Sequence, residues 1–285
     1  MVQLARRKAK KQKLKKKNRY VPYQKQEIDA KPLKKKKLWH RSSKMLIAIL
    51  GLTILLSCFL IVNLSLLSQD NYEDTNVAVP KAAILDGLYS KSPNETLIET
   101  LIRHLSDAGY MVEVYKGANV TIDLLRNLGG YEILILRLHS AVHTDNFLYV
   151  FSGEEYTESK YVDEQLAGAV RKSYTFNESE PPYFSLNSVF IGKNNPKGLN
   201  GTIVIMAGCN GTATPYVIQR FLQEGVKAYI AWNGYVGLSY SDEAISELVR
   251  LMCAEGLDPK AAVEKVNRET GPDPVYGSQL VCTLP

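Results

Sequence analysis

Residues 132–138 read EILILRL and residues 202–206 read TIVIM. Each is a short run carrying apolar side chains on both faces, as expected of a parallel strand covered on both sides rather than one half open to water. Working outward from this pair, apolar runs alternate with amphipathic stretches. Upstream, Ala82–Leu88 and Met111–Lys116 predict strands, and Thr121–Leu128 predicts a short helix. Ser92-Pro93-Asn94-Glu95 opens another helix, with Ser92 as N-cap, Pro93 at the first helical position and Glu95 closing a capping box; Gly109 ends it. After EILILRL, Phe147–Ser152 predicts a hairpin extension at the sheet's edge and Lys160–Arg171 a helix. Tyr174–Leu199 is a long insert with Pro181-Pro182 and a short strand at Ser188–Ile191. Beyond TIVIM come a helix from Thr214-Pro215 to Gly225, a strand at Ala228–Trp232, a helix over Ser241–Glu255 capped by Ser241, and a helix from Asp258-Pro259 to Thr270. Gly271-Pro272-Asp273-Pro274 then breaks the chain before a short tail. The strand-helix alternation predicts an α/β domain over residues 80–285, a mostly parallel sheet with helices on both faces.

The first 79 residues have a different character. Met45–Leu67 is 23 residues without a charge; as a helix it would be about 34 Å long, enough to cross a hydrocarbon core of about 30 Å. Residues 1–44 hold 18 Lys and Arg against Glu27 and Asp29, a formal +16, whereas residues 68–285 carry −10. That asymmetry predicts a single-pass protein of the cell membrane: a disordered basic tail over 1–44 in the cytoplasm, a transmembrane helix at 45–67, a polar linker at 68–79 and the α/β domain outside. A cleaved signal peptide would have a far shorter charged region. Leu55-Leu56-Ser57-Cys58 looks like a lipid-attachment box, but cleavage before Cys58 would leave the apolar FLIVNLSLL as a new terminus. The tail could neutralise nucleic-acid phosphates, yet it reads better as a topology signal drawn to anionic lipid of the inner leaflet.

Reactive groups in open α/β sheets collect at the carboxyl ends of strands. Two such ends carry nucleophile chemistry: His139 directly follows EILILRL, and Cys209 lies three residues beyond TIVIM, in Met206-Ala207-Gly208-Cys209-Asn210-Gly211. A neutral imidazole on a neighbouring strand end can take the thiol proton. Gly208, Asn210 and Gly211 form a turn whose backbone amides could face an oxyanion. His139 and His143 stand four apart, but they emerge from a strand without a third ligand nearby, so no zinc site is expected. No Gly-rich phosphate loop and no cluster of metal ligands points to a cofactor.

YEILILRLHS (131–140) resembles the third-strand motif of the caspase-like cysteine peptidases, the group that includes caspases, legumains, gingipains and CHAT domains: an apolar strand ending in His and a small residue. TIVIMAGCNG (202–211) resembles the matching fourth-strand motif around the catalytic Cys. Ser140 stands where Gly is commoner and Gly208 where Ala or Ser is commoner. The resemblance implies a caspase-like fold, Cys209 as nucleophile, His139 as base and a peptide or protein substrate. It also implies a substrate pocket after the fifth strand, with Trp232, Asn233 and Asp242 as candidate walls. Asp242 there would favour a basic side chain, although an acidic residue at a helix start has a structural use of its own. The competing expectation is a non-catalytic surface module of the same fold.

Two further expectations depend on the outside location. Asn94, Asn119, Asn177, Asn200 and Asn210 each begin an Asn-x-Ser/Thr sequon, of which Asn177 suits a glycan best. Of Cys209, Cys253 and Cys282, catalysis requires Cys209 free, with the other two either bridged or both reduced.

Overall fold

The computed structural model describes residues 49–57, 59–60 and 79–285. The basic tail, the linker up to residue 78 and the remainder of the Met45–Leu67 span lie outside the described residues. Residues 49–57 and 59–60 are helical, and among the described residues no helix is long and apolar enough to cross a membrane.

In chain order the domain contains Lys81–Asp86 (β1), Glu95–Asp107 (α1), Met111–Lys116 (β2), Ile122–Asn127 (α2), Ile133–Arg137 (β3), Ser140–Val142 (β4), Leu148–Glu155 (β5), Val162–Leu166 (α3), Val170–Ser173 (β6), Tyr183–Asn187 (β7), Ile203–Met206 (β8), Pro215–Gln223 (α4), Ala228–Trp232 (β9), Leu238–Ala254 (α5), Pro259–Thr270 (α6) and Leu280–Thr283 (β10). The main sheet has six strands in the order β10-β9-β8-β3-β1-β2. All neighbours run parallel except β10, which is antiparallel to β9. The fold class is therefore α/β with a mixed, mostly parallel sheet.

Alternation along the strands divides the core into two layers. Ile84, Ile135, Ile205, Ile230 and Trp232 pack with Leu101 of α1, Leu248 of α5 and Val263 of α6. Leu85, Leu134, Leu136, Met206 and Tyr229 face the opposite way, onto Leu125 of α2 and Phe221 of α4. Every residue of β3, β8 and β9 is buried, as strands covered on both faces must be. Burial of each such Leu, Ile or Phe contributes roughly 1.5–3 kcal/mol.

The chain between β3 and β8 departs from expectation. Leu148–Glu155 is not an edge of the main sheet but the second strand of a separate antiparallel sheet, β4-β5-β7-β6, whose Val150, Phe184 and Leu186 cover the same layer as α2 and α4. The helix expected over Lys160–Arg171 spans only Val162–Leu166, because Gly168 turns at φ +72° and releases Val170–Ser173 to pair with β7. Ser188–Phe190 is a 3-10 turn capped by the Asn187 side chain, not a strand. The expected tail forms β10.

Two caps also move. Asn94, not Ser92, caps α1, its Oδ1 accepting from Leu97 N at 3.0 Å; Ser92 is held in the preceding turn, its carbonyl accepting from Arg137 Nη1. α5 begins at Leu238 rather than at Ser241, whose hydroxyl points into the core instead.

Candidate active site

β3 and β8 are adjacent and parallel, with Leu136 opposite Met206. His139 lies two residues beyond the last residue of β3 and Cys209 three beyond that of β8, so the topology brings both to one sheet edge. Gly208 is what lets the two strand ends meet. A Cβ at this position would lie 2.5 Å from the Leu138 carbonyl oxygen and closer still to Ser140 Oγ. Ser140 fixes the contact by donating its hydroxyl to the Cys209 carbonyl at 2.6 Å.

His139 and Cys209 line one cavity of about 150 Å³, together with Leu88, Leu138, Val236 and Leu238. His139 keeps one side open to solvent while the rest of its ring is enclosed between the two cavities, and it meets Phe151 edge-on at 5.9 Å. The second of these, of about 230 Å³, it borders with Lys91, Ser92, Thr175 and Glu180. Burial, with the Arg137 charge acting in the same direction and Glu180 against it, holds the imidazole below its ordinary value. Cys209 is half-buried. Its Sγ lies 3.9 Å from the Val236 carbonyl, and among the described hydrogen bonds none joins it to the imidazole. Burial raises the thiol above its ordinary value, and Asp273 adds to the effect. Both shifts favour the uncharged form, of the thiol and of the imidazole alike.

The turn after Cys209 does less than expected as an oxyanion cradle. Asn210 adopts φ +59°, a conformation that Asn tolerates better than most residues, and its amide donates to Gly234 O at 2.8 Å. That amide is occupied. Gly211 is buried against β9: its carbonyl accepts from Tyr229 Oη, and a Cβ would lie 2.5 Å from Ala231 Cβ. The amides of Gly208, Cys209 and Gly211 donate no hydrogen bond among those described, and of the three residues only Gly208 and Cys209 line the cavity.

The expected pocket walls lie elsewhere. Trp232 is core, its indole donating to Ser241 Oγ at 3.0 Å while Ser241 donates to Ala207 O. Asn233 accepts from Gln279 N with its side chain and donates its own amide to Gln279 O, tying β9 to the approach of β10. Asp242 accepts two bonds from Arg137, at 2.8 and 2.9 Å, and a third from Asn94 Nδ2. It borders a separate polar groove of about 440 Å³ between α1 and α5 that contains neither His139 nor Cys209. An aspartate already committed to a guanidinium is a poor counter-ion for a substrate. His143 is exposed in the β4–β5 turn beside Asp145 and Arg171, away from the Cys209 cavity.

Residues that the sequence did not single out support the site from below. Arg137 is 3% exposed and joins Asp242 to Asp86, which is fully buried, with Nη1 2.8 Å from Asp86 Oδ1. Asp86 Oδ2 has no partner, and burial outweighs Arg137 to keep the carboxyl above its ordinary value. Asp273 takes Gly237 N, Val275 N and Tyr276 N. Burial alone would raise this carboxyl, but the three amides outweigh it and hold it low. It thereby pins the loops that carry Val236 and Tyr276 to the cavity. The sequence signals were an Arg inside an apolar strand and an Asp closing another.

Cys253 and Cys282 are free in the structure and pack against the same core layer; burial pushes each thiol up to about 11. Among the described residues no group of three His, Cys, Asp or Glu is arranged to hold a metal ion. No family model matches the sequence and no curated protein is similar to it, so a functional reading has to rest on the geometry of this strand-end site.

Proposed function

We propose that the domain is a cysteine peptidase of caspase-like arrangement, with Cys209 as nucleophile and His139 as base. The observation that carries this is the shared cavity: a thiol and a neutral imidazole, from the ends of adjacent parallel strands, line the same small apolar space. In the reaction, the Cys209 proton passes to His139 as sulfur attacks a peptide carbonyl, and the free amides of Gly208 and Cys209 receive the oxyanion. His139 then protonates the leaving amine, and water, deprotonated by the same imidazole, hydrolyses the thioester.

A second reading, a binding module that does no chemistry, draws on the Sγ contact with Val236 O and the raised thiol. A chloroacetamide thiol probe separates the two. Labelling of Cys209 in the wild type, cut at least tenfold in His139→Ala while Cys253 and Cys282 label equally in both, is the result expected of the enzyme. Cys209 labelling that is indifferent to His139 favours the binding module.

The charge asymmetry about residues 45–67 supports anchoring with the domain outside the cell. Protease added to intact cells should digest the chain beyond Gln69 and spare the tail. If the domain enters a glycosylating compartment, Asn177, which is exposed, should carry a glycan. Asn94 should not, because both ends of its amide are engaged in the α1 cap and on Asp242. Protection of the domain from protease would overturn this orientation.

A further inference from the structure

The cavity that holds the dyad has a chemistry of its own, and it is not the one the expected Asp242 pocket would have had. Leu88, Leu138, Val236 and Leu238 form its walls, and Phe176, Tyr235 and Tyr276 stand at its margin. No Lys, Arg, Asp or Glu side chain lines it. Ser241, the one hydroxyl among the aliphatic walls, is already bonded to Trp232 Nε1 and Ala207 O. Of the buried charges, Arg137, Asp86 and Asp242 answer one another, and Asp273, whose charge reaches Cys209, does not line the cavity and is already engaged by the amides of Gly237, Val275 and Tyr276. A charged substrate side chain entering here would lose its water and meet no counter-ion, at a cost of several kcal/mol per ion.

Size narrows the choice further. About 150 Å³ of apolar space is what accommodates a benzene ring in a protein interior. A benzyl or isobutyl group fits that space, and an indole is too large.

The margin is aromatic in an unusual way for a surface. Phe176 is 92% exposed, Tyr276 57% and Tyr235 48%. Phe176 and Tyr235 have ring centroids 6.1 Å apart, and Tyr235 and Tyr276 6.0 Å. The three therefore form a continuous arc reaching from the β6–β7 connection to the segment before β10. A phenylalanine held almost wholly in water gains from covering an apolar ligand. The neighbouring 230 Å³ cavity shares Leu88, His139 and Phe176 with this one but adds the charged Lys91 and Glu180 and is not lined by Cys209, so the cavity that does contain the thiol is the nearer fit for the side chain adjoining the attacked carbonyl.

We propose that Phe176, Tyr235 and Tyr276 are specificity-determining residues that select, at the substrate residue whose carbonyl Cys209 attacks, an uncharged side chain of phenylalanine or leucine size. This rests on Cys209 being the nucleophile of a peptidase. The test uses four tripeptidyl acyloxymethyl ketones identical except for Phe, Leu, Arg or Asp at the residue bearing the ketone. In each, the Cys209 sulfur forms a bond to the methylene carbon, the carboxylate leaves, and the thiol proton passes to the imidazole. Iodoacetamide, which needs no pocket, reports thiol reactivity separately. On the full chain in detergent, the Phe and Leu reagents should label Cys209 at least tenfold faster than Arg or Asp. Phe176→Ala/Tyr276→Ala, both at exposed positions, should cut the Phe rate tenfold or more and leave iodoacetamide labelling unchanged. Equal rates for all four, or faster labelling by Arg or Asp, would overturn the specificity while leaving the peptidase standing. Labelling by iodoacetamide but by none of the ketones would overturn both.

Discussion

Cys209→Ala should reduce peptide hydrolysis to background, and His139→Ala should lower kcat/KM by roughly a hundred- to ten-thousand-fold, the usual contribution of a positioned general base. The pH profile tells whether the pair works as the structure disposes it. Burial keeps the imidazole below its ordinary 6.5 and the thiol above its ordinary 9.0. The base works only when unprotonated, so kcat/KM should rise with pH through a limb below 6.5. The thiol keeps its proton, for delivery to the imidazole and then to the leaving amine, until above pH 9, so the plateau should extend at least that far. A resting thiolate-imidazolium pair would instead place the acid limb near pH 3–4 or so, where strongly activated cysteines ionise. Hydrolysis that persists in Cys209→Ala would refute the nucleophile assignment outright.

Arg137→Met should destabilise the domain by about 3–5 kcal/mol, read from urea midpoints at pH 7, since removal of one partner leaves buried charge uncompensated. The arrangement is more demanding than an ordinary pair, because one guanidinium serves both Asp86 and Asp242. Asp86 adds a pH signature. Its carboxyl already lies above the ordinary 3.8 in the folded state, and loss of the guanidinium raises it further. A group raised on folding contributes stability that is present below its unfolded value and lost as pH climbs through the folded one. The deficit of the variant relative to wild type should therefore be smallest near pH 3.8 and grow toward neutrality. A deficit that shrinks with rising pH would rule out this account of the network.

What the sequence made legible was whatever depends on local pattern. EILILRL and TIVIM are strands because an unbroken apolar run has few other stable uses, and the order His139 then Cys209 follows once they lie side by side. The second sheet was hidden for an equally physical reason. KYVDEQLAGAVR has the composition of a helix, and only Gly168, in a conformation that other residues resist, ends it early and frees Val170–Ser173 for pairing. Pro181-Pro182 looked like loop, yet it immediately precedes β7, at the boundary where proline is tolerated. The ion network was out of reach of any local pattern: Arg137 finds Asp86 across 51 positions and Asp242 across 105. Those contacts also decide the fate of the expected pocket, since an Asp242 held by Arg137 cannot face a substrate.

The pairing of β3 with β8 sets when His139 and Cys209 come together as the chain folds. Leu134 and Val204 are opposite one another although roughly seventy positions apart, and the whole second sheet lies between them in sequence. Parallel, non-local pairing carries a loop-closure cost before it yields any contact, and folds rich in it close slowly, on a scale of about milliseconds to seconds. By contrast, β1, α1 and β2 are near neighbours along the chain and can associate early. The thiol and the imidazole therefore come to one cavity only when the longest-range pairing of the sheet is made. A chain still folding holds Cys209 and His139 apart, so the proposed peptidase would be chemically silent toward the unfolded polypeptides around it until that pairing closes.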